Sequence, residues 1–346
     1  MSIIDGAGDR LFTRSSVFLN AVPVESNAYF GLYKCLKSYL STSCDELNSR
    51  ARNSFYKNYD AYEIPDDISA DDFDPKKCPK GELKIIKECK RSIHFITNLN
   101  LDMSSCQTFL MDGVDVRIRL DLCSPALLIN SYDAEKYIYK IDITKLWGDK
   151  IIPFPSALTS LNKSLIAGRS IEYLFSRPLI RSYVYPTNYN SLTLDNIFTG
   201  TIPQAVYVFF MKQSNATGSY CSNGSYFDHA NVENLSLEVN GNNMSILTGQ
   251  FPDHVALMYQ NMIASIKTEG HQIPLQYFKK GRTVHAFDLR SSEATDTIPL
   301  EKSGNVRLSI QSSKPNTENI IIYIIGVTTA LVSIDHTRAV KTSYLM

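Results

Sequence analysis

Asp5-Gly6-Ala7-Gly8-Asp9 has the look of a cation-binding turn. An EF-hand loop needs an oxygen ligand at its third position and a bidentate Glu at its twelfth. Those positions hold Ala7 and Ser16, so the stretch reads as a glycine-rich turn and no metal is assigned. The histidines are His94, His229, His254, His271, His285 and His336. None stands three to five residues from another, the spacing from which zinc pairs are usually built. Asp228-His229 is a lone acid–imidazole pair in a polar loop. A hydrolase using Cys221 or His229 would have no local nucleophile–base signature, and no G-x-S-x-G elbow, P-loop or dinucleotide glycine pattern occurs. Lys279-Lys280-Gly281-Arg282 is the densest positive cluster near a strand start. It reads as a charged turn in preference to a contact with nucleic acid phosphates. The chemistry-bearing residues therefore suggest neither an enzyme nor a cofactor.

Bulk properties narrow the classes further. The chain has 346 residues, with 35 Lys plus Arg against 35 Asp plus Glu. That length suits two domains and buries roughly 75% of the unfolded surface. Zero formal charge argues against strong attraction to nucleic acid or an acidic membrane and suits a protein that packs against copies of itself. The seven cysteines (Cys35, Cys44, Cys78, Cys89, Cys106, Cys123 and Cys221) are odd in number and without CxxC spacing. They read as reduced thiols in an intracellular compartment. No cationic, apolar leader follows Met1, so secretion is not expected, and the N-x-S/T sites at Asn162, Asn215, Asn223, Asn234 and Asn243 read as unmodified loops. Residues 60–74 carry seven carboxylates (Asp60, Glu63, Asp66, Asp67, Asp71, Asp72 and Asp74) and no Lys or Arg. They read as a solvated excursion, with a docking tail for a basic partner as the sharper alternative.

The elements that must carry these residues are mostly strands. Val306, Leu308 and Ile310 alternate with Arg307, Ser309 and Gln311, which is period two. Residues 320–334 are apolar on nearly every side and β-branched, which suits a strand buried on both faces and is too short for a good bilayer-spanning helix. Further strands are expected at residues 16–24, 93–101, 113–122, 137–143, 171–175, 179–185, 204–211, 235–239 and 283–289. Asn240-Gly241 predicts a type I′ hairpin turn. Helical spacing appears at residues 28–40, capped by Ser26 or Asn27, at 155–168, stopped by Gly168, and at 255–266. Many short strands with few helices imply two sandwiches joined by one helix.

Seven segments, in this order, resemble one family: the double-jelly-roll, hexon-like major capsid proteins of Polinton/Maverick and adintovirus-type viruses, including copies endogenised in invertebrate genomes. The first is FTRSSVFLNAVPVESNAYFGLYKCLKSYL from Phe12. FLMDGVDVRIRL from Phe109 carries Asp112, Gly113, Asp115, Arg117 and Arg119, and IIPFPSALTSLNKSLIAG from Ile151 carries Pro155. DNIFTGTIPQAVYVFFM from Asp195 carries Asn196, Gly200 and Pro203, and LSLEVNG from Leu235 ends in Asn240 and Gly241. KGRTVHAFDL from Lys280 carries Phe287 and Asp288, and GNVRLSIQ through LVSID carries Gly304, Asn305, Tyr323 and Asp335. Residues 324–329 depart from the family, being apolar where relatives carry acidic or polar residues.

The resemblance implies an all-β fold of two tandem jelly-roll sandwiches: residues 1–154, a connector helix at 155–168, and residues 169–346. The first roll is expected to lack its earliest strands. It implies a structural, non-enzymatic subunit of an icosahedral capsid with no cofactor and no catalytic or metal residues, the matching positions being structural. The expected partners are copies of itself, as a homotrimer and as neighbouring capsomers, with penton or minor capsid proteins as further candidates. No specific nucleic acid sequence and no membrane span are expected. The protein would be made and assembled inside the cell and reside in the virion. A host-domesticated jelly-roll module binding glycan or protein is the alternative.

Overall fold

A computed structural model describes residues 2–4, 6–41, 97–106, 108–130, 137–142, 144–220, 222–251, 253–266, 273–279, 281–290 and 303–344. In chain order these form β1 (Ser2–Ile3), α1 (Ala7–Arg10), β2 (Phe12–Leu19), β3 (Val22–Asn27), α2 (Phe30–Ser41), β4 (Val116–Leu122) and β5 (Ile129–Asn130). The isolated α3 (Pro155–Ile166) follows. Then come β6 (Ile171–Tyr185), β7 (Ser191–Thr201), β8 (Ala205–Lys212), α4 (Gln213–Thr217), β9 (Val232–Val239) and β10 (Asn242–Thr248). The chain continues through α5 (Ala256–Ser265), α6 (Leu275–Lys279), β11 (His285–Asp288), β12 (Ser303–Ser312), β13 (Ile320–Ile334) and β14 (Val340–Tyr344).

Strands β6 to β13 close a complete eight-stranded roll. One sheet runs β6-β13-β8-β11 and the other β7-β12-β9-β10, every pair antiparallel. This places the first strand beside the eighth, the third beside the eighth and the second beside the seventh, which is the wrapped order of a jelly roll. The second sheet is half wet. Val306, Leu308 and Ile310 of β12 and Leu235, Leu237 and Val239 of β9 point inward, while Arg307 and Glu238 pair on the outer face. In the first sheet β8 and the first half of β13 are covered twice. Their inner residues meet the second sheet, and α2 joins the same core through Leu32, Leu36, Tyr39 and Leu40. Tyr29, just before α2, meets Tyr323 edge-on at 5.7 Å, and Tyr323 stacks on Phe209 at 5.3 Å. That double cover explains the nearly unbroken apolar runs of β8 and β13.

A smaller core serves the other half. Sheet β3-β2-β4 contributes Val17, Leu19 and Val24, with Phe30, Leu101, Met111 and Leu165. The remainder comes from the far ends of the long strands: Tyr173 and Phe175 of β6, and Ala330, Val332 and Ile334 of β13. Each of these strands has 15 residues, about 50 Å of extended chain, and pairs with the other along its whole length. Both cores are therefore threaded by one two-stranded ribbon.

Several sequence expectations need correction. Residues 16–24 are not one strand but parts of β2 and β3, divided at Asn20 and Ala21, both with positive φ. Residues 171–175 and 179–185 are one strand, because Pro178 lies in β6, an edge strand that bonds only to β13 and can spare an N–H. Residues 137–142 form no strand, although their exposure alternates. Of residues 93–101, those from 97 on are irregular and the rest lie outside the described residues, as do residues 60–74. In the expected strand at 113–122 pairing starts at Val116.

Candidate functional site

The residues singled out by resemblance gather at two loop clusters and in the cores. In the first cluster Arg338 Nε donates to the Asp112 carbonyl at 2.8 Å, beside Gly113 at φ 80°. Asn20 Oδ1 accepts from the Asp115 N–H at 2.7 Å while Asn20 Nδ2 donates to the Arg338 carbonyl at 2.7 Å. Asp335 Oδ1 accepts from the Thr337 and Ala339 N–H groups and the Thr337 hydroxyl. The hydroxyl bond, ahead of the backbone ones, holds the exposed Asp335 carboxyl below its ordinary range. Three loops far apart in sequence are thus tied together at one end of the smaller sheet. Arg119 pairs with Asp121 on β4 at 3.1 Å, and Arg117 is exposed on the same strand.

In the second cluster Asn240 and Gly241 make the β9–β10 turn with φ of 53° and 78°. Asn240 Oδ1 accepts from the Asn305 N–H at 2.9 Å, and the Asn240 side chain fills the space that a Cβ on Gly304 would need. Gly304 pairs with Gly200 in the register of β12 on β7. Asn196, at φ 55°, sits where that register shifts, and Asp195 bonds Arg307 across the irregularity at 2.9 Å. Pro203 and Phe198 press against Gly326 of β13, where a Cβ would fall 2.5 Å from Pro203 Cγ. Phe287 and Tyr323 are core residues, Asp288 holds Arg290 through two bonds of 2.7 Å, and Pro155 takes the first turn of α3.

The candidates for chemistry are otherwise engaged. Asp9 is buried and pairs with buried Lys34 at 3.1 Å, and Asp5 lies outside the described residues. Burial lowers the Lys34 pKa against the pull of Asp9. His229 Nδ1 accepts from the Asn231 N–H at 3.0 Å, and its ring stacks on Phe251 at 4.9 Å. Arg282 corrects the reading of residues 279–282 as a charged turn. It is buried, with its guanidinium 4.4 Å from the Tyr39 ring centre and 5.4 Å from Tyr277, which ties α2 to α6. Lys280 and Cys221 lie outside the described residues. A cavity of about 240 Å³ opens at one end of the complete roll. Its charged walls compensate one another, Lys212 reaching Glu318 at 3.5 Å. Among the described residues no group of three His, Cys, Asp or Glu could hold a metal, and no helix is long and apolar enough to cross a membrane.

Sequence reasoning missed two buried titratable sites. His285 is fully buried among Phe210, Phe251 and Phe278, and neither ring nitrogen has a hydrogen-bond partner among the described residues. Burial, then His229, lowers its pKa to about 3. Asp102 and Glu25 are buried together where the two cores meet, Glu25 Oε2 accepting from the Met103 N–H at 3.2 Å. Burial, then the Glu25 charge, pushes Asp102 up to about 8. Period two could have flagged His285, which shares one face of its strand with Phe287 and Leu289, both buried; nothing local marks Asp102.

A large unpartnered surface was also not foreseen. Every residue from 144 to 163 is exposed. Trp147 is 81% exposed, Ile152 85% and Phe154 81%, and α3 is anchored by Leu165 alone.

No family model matches this chain, and no curated protein matches it. Solved structures do. PBCV-1 VP54, fitted into a cryo-EM reconstruction of the virophage Sputnik, aligns with a TM-score of 0.56 at 8% identity, covering 99% of this chain and 86% of that one. The PBCV-1 virus capsid aligns at 0.51 and 9% identity, covering 99% and 85%. The Faustovirus major capsid protein aligns at 0.50 and 8% identity, covering 95% and 72%. The chain therefore has the all-β fold of double-jelly-roll proteins.

Proposed function

We propose that this protein is the structural subunit of an icosahedral viral capsid, built from trimers with a six-fold-like outline, and that it turns over no substrate. The observation that carries this reading is the fold: a complete wrapped roll beside a second core under a three-stranded sheet, aligned over nearly the whole chain with capsid structures. The loop clusters support it, since their polar side chains are spent on fixing turns. In this reading residues 1–154 and 169–346 are the two rolls and residues 155–168 connect them. The virus group is of Polinton/Maverick or adintovirus type. The partners are copies of the same chain, then penton or minor capsid proteins. The subunit is made inside the cell and resides in the virion.

The test is the oligomeric state of the full chain by light scattering, followed by electron microscopy of concentrated protein. Trimers that pack into hexagonal arrays are the expected outcome. A species that stays monomeric at micromolar concentration would overturn the reading, since obligate assemblies bury upwards of about 2,000 Å².

A further inference from the structure

We propose that residues 144–166 form an arm that docks onto a second copy of this chain. The inference rests on the capsid reading and adds the surface that makes the contact. Among the described residues, the backbone of 144–153 makes no hydrogen bond to the rest of the chain. Residues 137–142 and 144–154 carry no secondary structure, and so long an irregular run is uncommon inside a compact domain, where it belongs to functional loops or to linkers. Its composition is wrong for a solvated linker: Leu146, Trp147, Ile151, Ile152 and Phe154 are all exposed. The helix that follows repeats the pattern. Leu158, Leu161 and Leu165 share one stripe by their spacing, yet only Leu165 is buried.

The area fits a second copy. Two aromatic side chains of about 200 Å² each and several aliphatic ones, largely exposed, sum to on the order of 1,000 Å². That exceeds the few hundred Å² of apolar patch usual on a monomer and matches the roughly 800 Å² each partner gives a standard interface. The chain also carries a distinct exposed apolar set at Phe109, Val116 and Leu122, the last two on β4, whose outer edge is unpaired among the described residues. A molecule with two apolar surfaces, neither covered by the described residues, is suited to head-to-tail contacts, and such contacts close into rings when the rotation allows.

Trp147 is the single tryptophan of the chain, so emission excited at the red edge, where tyrosine does not absorb, reports on the arm alone. A dilution series of the full-length protein, read by emission and by light scattering together, tests the contact. The expected result is a blue shift of Trp147 that rises with oligomer fraction. A companion variant, Trp147→Tyr with Ile152→Ser and Phe154→Ser, should keep the far-UV spectrum and raise the dissociation constant at least about 100-fold. Three results would overturn the arm contact. Blue emission from a species that light scattering shows to be monomeric means the chain covers the arm itself. Red emission in the oligomer means the arm stays wet. An undiminished oligomer in the variant means the interface lies elsewhere. The last two leave the capsid reading standing, whereas a monomer at all concentrations removes both.

Discussion

His285 and Asp102 respond to pH with opposite signs. His285 sits against three phenylalanines with no partner for either nitrogen among the described residues. The folded chain holds it neutral down to about pH 3, while the unfolded chain takes up a proton near the ordinary 6.5. Its contribution is therefore whole above pH 6.5 and is lost as pH falls toward 3, by up to about 1.4 kcal/mol per pH unit. His285→Phe should flatten the loss between pH 6 and 4, read as urea midpoints, and add about 1–3 kcal/mol by removing unsatisfied nitrogens. Asp102 keeps its proton in the fold up to about 8, against an ordinary 3.8. Stability from that proton is complete below the ordinary value and is lost as pH rises through 8. Asp102→Asn should leave the midpoint at pH 4 unchanged and raise it at pH 8, because a neutral amide replaces a buried charge. A variant less stable at pH 8 would mean the carboxylate is better paired than its burial implies.

At the scale of elements, glycine marks where strands cross closely. Gly326 lets β13 pass beneath Pro203 and Phe198, so Gly326→Val should cost about 1–3 kcal/mol through overpacking, measured by thermal melting. Gly304 makes room for the Asn240 side chain that bonds Asn305. Asn240→Ala would lose that bond and put an alanine at φ 53°, so it should cost about 2 kcal/mol. Helix α3 offers a within-element control. Leu165→Ala should destabilise by about 2–3 kcal/mol because Leu165 lies in the smaller core. Leu161→Ala should leave the isolated subunit near its original midpoint, because Leu161 is exposed.

At the scale of the molecule, the ribbon of β6 and β13 couples the two cores. A cut or strain in either strand reaches both, and the subunit should melt in one transition unless the ribbon is interrupted. Assembly adds a second dependence. If copies bind only the folded chain, mass action raises the melting temperature with protein concentration. We expect a rise over a hundredfold range of concentration in the wild type and its loss in the arm variant, both by scanning calorimetry.

Much of the fold was legible because it was written locally. Period-two alternation identified β9 and β12, helical spacing identified α2, α3 and α5, and Asn240-Gly241 identified its hairpin turn. Where β2 ends was not legible, since Asn20-Ala21 lacks the glycine that usually marks a left-handed turn; nor was the continuity of β6, since proline is tolerated only on an edge that sequence does not reveal. By itself the sequence determined that the segments forming β8, β9, β11, β12 and β13 are strands. Only the tertiary structure decided that residues 320–334 serve two cores, that Arg282 lies against Tyr39 and not in solvent, and that the apolar residues from 146 to 154 face water. Hydrophobicity says which side chains must be covered, and only the packing of distant elements says whether the chain covers them itself.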